Sequence, residues 1–122
     1  MTGKTILTID DSPTMRELLR GALTRMGHRV VQAVDGLQGL ERLREGPADL
    51  IITDINMPRL DGYGLIEEVR RDPRHRTTPI LVLTTESQPS RKDRARRAGA
   101  TGWIVKPFDP SKLADAIRRV TA

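Results

Sequence analysis

Asp49-Leu50-Ile51-Ile52-Thr53-Asp54-Ile55-Asn56-Met57-Pro58 decides the fold. Its apolar run Leu50-Ile51-Ile52 does not alternate with polar residues, a pattern suited to a strand covered on both faces, as in a parallel sheet. The run predicts a strand over Asp49–Asp54, with a carboxylate at its carboxyl end and turn residues behind it. Ile80-Leu81-Val82-Leu83 repeats the pattern and predicts a second buried strand over Ile80–Thr84. Further strands are predicted over Thr5–Asp10, Arg29–Val34 and Gly102–Val105.

Helical patterns fill the intervals. Ser12-Pro13 supplies an N-cap and a first-turn proline, Met15, Leu18, Leu19, Ala22 and Met26 form one apolar stripe, and Gly27 ends it. Leu37, Leu40 and Leu43 mark a second helix before Gly46-Pro47, and Leu65, Ile66 and Val69 a third before Asp72-Pro73. A fourth, over Ser90–Ala98, has only Ala95 and Ala98 to bury. Asp109-Pro110 opens the last, with Leu113, Ala116, Ile117 and Val120 on one face. Strict alternation of strand and helix predicts a layered α/β domain with right-handed crossovers, occupying residues 1–122 with no second domain.

Composition narrows the classes. The chain has 122 residues and no cysteine, which excludes disulfides and thiolate metal sites and suits a reducing, cytoplasmic setting. No apolar run approaches the roughly 18 residues of a membrane span. The net charge is +5, with arginines concentrated between Arg70 and Arg97, yet aromatics are 2% of the chain, too few for a base-stacking platform. A solvated basic face is expected, and neither nucleic acid nor membrane as a partner.

Ligands of open parallel sheets bind outside the carboxyl ends of the strands. The first strand ends in Asp10-Asp11, the third in Asp54 and the fourth in Thr84, and Lys106 follows the fifth. Carboxylates crowded on one rim repel each other unless a cation intervenes. Oxygen donors with no histidine beside them favour Mg²⁺ over zinc. Taken singly, each of these residues has a plainer use: an acid at a helix N-terminus, a turn, or a solvated lysine. Their joint occurrence points to a metal–phosphate site.

Asp10-Asp11-Ser12, Asp54 through Gly62, Thr84 and Lys106-Pro107-Phe108 together resemble the receiver domain of bacterial two-component response regulators. The resemblance spans essentially the whole chain. It implies a flavodoxin-like (βα)₅ three-layer sandwich whose five-stranded parallel sheet has the order 2-1-3-4-5. It implies that Asp54 accepts a phosphoryl group from a sensor histidine kinase of chemotaxis type. Asp11, Asp54 and the Asn56 carbonyl would coordinate Mg²⁺, with Asp10 acting through water, while Lys106 and Thr84 would bind phosphoryl oxygens. A cis Lys106–Pro107 bond is also implied.

Trp103 stands at the switch position, where the family usually has Tyr or Phe, and its motion would couple to Thr84. Thr85 departs from the smaller residue often found there. Asn56 and Glu86 flank the path of the water that hydrolyses the acyl phosphate, and would tune its lifetime. The expected molecule is a monomeric, stand-alone signalling switch rather than an enzyme. Its output face comprises the fourth helix, fifth strand and fifth helix, and its target is a flagellar-motor switch protein or a histidine phosphotransfer protein. A relay link or phosphate sink is the alternative output. An aspartate-nucleophile phosphatase is disfavoured because Asn56 replaces the needed second carboxylate, and a flavin module because Asp10-Asp11 would repel its phosphate.

Overall fold

The computed structural model describes residues 3–121. In chain order it contains β1 (Thr5–Ile9), α1 (Pro13–Arg25), β2 (Arg29–Ala33), α2 (Gly36–Glu45), β3 (Leu50–Thr53) and α3 (Gly62–Arg71). A 3₁₀ turn at Pro73–His75 leads to β4 (Ile80–Thr84), α4 (Pro89–Ala98), β5 (Gly102–Val105) and α5 (Pro110–Thr121). All strand pairs are parallel, in the order β2-β1-β3-β4-β5, so β1 and β3 are neighbours and Ile9 stands in register with Thr53.

The continuous apolar runs follow from burial of both sheet faces. On one face Leu7, Ile9, Ile51 and Val82 pack with Leu43 of α2, Leu65, Ile66 and Val69 of α3, and Ala95 of α4. On the other, Ile6, Leu50, Ile52, Leu81 and Leu83 pack with Leu19 and Leu23 of α1 and Leu113 and Ile117 of α5. Successive residues of one strand thus serve opposite layers.

Several boundaries differ from the sequence expectation. β1, β2 and β3 each end one residue early, and β3 starts at Leu50 rather than Asp49. Asp10 and Asp54 still donate ladder bonds to Ala33 O (3.1 Å) and Ile9 O (2.9 Å), but their side chains already belong to the rim. The α1 stripe is rotated: Leu18 is 54% exposed, while Leu23, absent from the expected stripe, is fully buried. Leu19, Ala22 and Leu23 keep the i, i+3, i+4 spacing of a core face, and Leu18 falls outside it. Leu37 is likewise exposed. α4 is the most thinly attached helix, burying Ala95 alone, and its N-cap residue Gln88 makes no side-chain cap hydrogen bond. Among the described residues no helix is long and apolar enough to cross a membrane.

His75 lies buried in the 3₁₀ turn, its Nδ1 3.0 Å from Thr78 Oγ1 and its Nε2 without a partner among the described residues. Burial pushes its pKa below 6.5, against an upward pull from Asp72. His28 shifts the same way, by burial and by Lys4. The unfolded chain therefore takes up these protons first, so stability is full above about pH 6.5 and is lost as pH falls through the lowered values. The urea midpoint is expected to drop between about pH 7 and pH 5, and His75→Gln should flatten that slope. An unchanged slope in His75→Gln would show that the drop arises elsewhere.

Candidate functional site

The carboxyl edge of the sheet gathers the chemistry. Chain reversal after β1 places Asp10 at 1% exposure, and Asp54, just past β3, is 8% exposed. Asp10 Oδ1 accepts from Ser12 N (2.9 Å), and Ser12 Oγ in turn caps α1 by accepting from Met15 N (3.2 Å). The Arg16 guanidinium, one turn on, donates to the Asp10 carbonyl (2.8 Å). Asp54 Oδ1 accepts from Ile55 N at 2.6 Å. Gly62 is required here, because a Cβ would lie 2.4 Å from the Asp54 carbonyl oxygen.

Lys106 crosses from the end of β5 and donates at 2.8 Å to both Asp10 Oδ2 and Asp54 Oδ2. Its own N–H is held by Thr84 O at 2.8 Å, which fixes the root of the side chain. The Lys106–Pro107 bond is cis. Burial of the ammonium opposes its charge, but hydrogen bonds and attraction to Asp10 and Asp54 outweigh it, and its pKa is raised.

Asp11 completes the cluster from the exposed side. It makes no hydrogen bond among the described residues, and oxygens of Asp10, Asp11 and Asp54 all lie within 4.8 Å of one another. At that spacing each pair of ionised carboxylates repels by roughly 3 kcal/mol at an effective dielectric of 20. One ammonium leaves a surplus of negative charge. An all-oxygen donor set with one solvent-facing carboxylate fits Mg²⁺, which keeps several waters and takes one or two carboxylates.

The remaining expected residues form a second group around Glu86. Its N–H approaches Thr84 Oγ1 at 3.4 Å, its carbonyl accepts from Trp103 Nε1 at 3.1 Å, and its carboxylate lies 3.5 Å from Asn56 Nδ2. Arg91 Nε stands 3.0 Å from Glu86 Oε1, an ion pair whose N–H is not aligned for a hydrogen bond. Thr84 is fully buried and Trp103 half-buried. Thr84 and Trp103 thus meet through the backbone of Glu86, whereas Thr84 makes no hydrogen bond to Asp54.

Sequence reading missed the Arg16 contact to Asp10, the pairing of Arg91 with Glu86, and an ion pair in which Arg59 forks over Asp35, Nε to Oδ2 at 2.7 Å and the second nitrogen to Oδ1 at 3.0 Å. Asp35 is 4% exposed and caps α2 by accepting from Gln38 N. The Arg59 guanidinium holds its carboxyl below the ordinary value. Asp35-Gly36 before a helix was a legible cap signal, but nothing local joins residues 24 apart.

The model of the response regulator receiver domain matches residues 6–118. Chemotaxis protein CheY1 of Helicobacter pylori is 38% identical over 118 residues, covering 94% of each chain. A probable chemotaxis protein CheY of Rhizobium etli is 37% identical, covering 94% of this chain and 90% of its own. The solved chemotaxis response regulator CheY4 of Vibrio cholerae superposes with a TM-score of 0.92 at 39% identity, covering 98% and 99% of the two chains. The receiver domain of a Pseudomonas aeruginosa sensor histidine kinase, solved with a magnesium ion coordinated in its active-site cleft, gives 0.91 at 28% identity and covers 98% of both chains.

Proposed function

The chain belongs to the response regulator receiver family, and from that premise we propose that Asp54 is its phosphoacceptor, charged by a histidine kinase with Mg²⁺ held beside it. The observation that carries the reading is the Lys106 amine bridging buried Asp10 and Asp54, with Asp11 alongside. An Asp54 oxygen attacks phosphorus as the P–N bond of the donor phosphohistidine breaks. The electron pair of that bond stays on the imidazole, and an acyl phosphate remains on Asp54. Phosphoryl transfer depends chiefly on positioning and on neutralising charge over the equatorial oxygens. Lys106, fixed through Thr84 O, supplies a positive charge at the acceptor. Asp11, Asp54 and Asn56 would hold Mg²⁺, which contributes further charge neutralisation, with Asp10 orienting its water.

The added charge, close to −2, would draw the Thr84 hydroxyl toward Asp54. That motion would withdraw the acceptor from Glu86 N and disturb the loop on which Trp103 rests. Readout then falls on α4, β5 and α5, where Arg91, Arg94, Lys112 and Arg119 offer basic contacts to a partner. A chemotaxis output is supported by the names of the relatives. A place as a relay link would use the same acceptor chemistry.

The test uses Trp103, the only Trp in the chain, as reporter. Beryllofluoride with Mg²⁺ is expected to change its fluorescence, and Asp54→Ala or Asp11→Ala to remove the change. A response that survives in Asp54→Ala would assign the acceptor elsewhere.

A further inference from the structure

The loop from Ile55 to Asp61 carries Asn56 and stands between the acidic cluster and α3, and two of its contacts are unusual. Arg59 has φ +68, a left-handed conformation that non-glycine residues adopt rarely. It occupies that conformation with its guanidinium forked over the buried Asp35 carboxylate at 2.7 and 3.0 Å. The next residue accepts from the same neighbouring element, Gly36 N to Leu60 O at 3.1 Å. A Cβ at Gly36 would sit 2.4 Å from that oxygen, so only glycine permits the approach. At its far end the loop is closed by Gly62 N to Ile55 O at 2.8 Å.

We propose that Asp35 and Arg59 are positioning residues that brace the β3–α3 loop against the start of α2 and so set Asn56 at the height required for divalent-cation binding. Neither side chain belongs to the acidic cluster. Asp35 is buried and already committed to capping α2, so it is a fixed post, and the planar fork of arginine fixes direction as well as distance. Without the fork, Arg59 has no compensation for its backbone conformation and the loop can relax away from the rim. The proposal rests on the metal-dependent reading of Asp10, Asp11 and Asp54.

The test is Mn²⁺ titration of the full chain without any phosphodonor, following the free-Mn²⁺ signal by electron paramagnetic resonance. Arg59→Gly removes the fork and tolerates the left-handed backbone, while Asp35→Asn keeps the oxygen that caps α2. Each is expected to weaken Mn²⁺ binding by about tenfold, the scale of lost outer-shell support. Far-UV circular dichroism in EDTA should match the folded parent, although the melting temperature falls, because Asp35 is buried and its pair is broken. The double variant should be no weaker than either single, because both remove one brace. In acetyl phosphate assays the half-saturating Mg²⁺ should rise, with the rate at saturating Mg²⁺ within about twofold of the parent.

Parent-like Mn²⁺ affinity in Arg59→Gly, or additive losses in the double variant, would overturn the brace while leaving the cation site intact. A parent that binds no Mn²⁺ would instead remove the metal reading itself, and the brace with it.

Discussion

Asp54→Ala is expected to lose phosphoryl incorporation entirely, with intact-mass analysis showing no added group after incubation with acetyl phosphate and Mg²⁺. The expectation follows from placement. Asp54 is one of three carboxylates within 4.8 Å of each other. It accepts a backbone N–H on one oxygen and the Lys106 ammonium on the other. Asp10 is nearly inaccessible, with its oxygens taken by Ser12 N and Lys106. Asp11 is exposed and has no ammonium beside it to help neutralise the transferring group, whereas Asp54 has one. The variant should fold, because removing one of three repelling acids relieves the cluster. A phosphoryl group on Asp54→Ala, located by peptide mapping, would move the acceptor to another side chain.

Lys106→Met should produce the largest loss of stability at this rim. Its ammonium is the only side-chain cation paired with the Asp10 and Asp54 carboxylates among the described residues. Removing one partner of a buried ion pair costs about 3 kcal/mol, and here two buried acids are left facing each other. In EDTA the urea midpoint should fall accordingly, and Mg²⁺ should raise it more in the variant than in the parent, since a divalent ion can replace the missing charge. The sign with pH is fixed by the raised lysine pKa. On the alkaline side the lysine's contribution is fully present below the ordinary value of 10.5 and is lost as pH rises through the raised one. The variant should still incorporate phosphate from acetyl phosphate, yet the Trp103 signal should not follow. An unaltered midpoint in EDTA would mean that the ammonium does not stabilise the pair, and a full Trp103 response would remove Lys106 from the signalling step.

How much of this was legible in the chain depended on whether the information was local. The unbroken apolar runs Leu50-Ile51-Ile52 and Ile80-Leu81-Val82-Leu83 announced buried parallel strands, and the strand ends then named Asp10, Asp11, Asp54 and Thr84 as rim residues. Periodicity could not supply strand order. The adjacency of β1 and β3, on which the acidic cluster depends, came from resemblance and is present in the sheet. The facing of α1 was misjudged because Leu18 and Leu23 are both leucines, and only the packing of the helix on the sheet decides which one is covered. The Asp35–Arg59 fork was invisible for a related reason: its two halves lie in loops brought together by the sheet. Arg59 also occupies a backbone region that sequence assigns by preference to glycine or asparagine.

The sparse anchoring of α4 bears on how cheaply a local chemical event could be transmitted. With Ala95 as its sole buried side chain and no hydroxyl or carboxylate closing its first turn, this helix is the softest spring in the framework. Displacing it disturbs few close-packed atoms, so the gain or loss of one or two hydrogen bonds at the neighbouring loop, about 1 kcal/mol each, acts on the segment with the least burial to oppose it. The rest of the scaffold can then stay rigid while one segment yields.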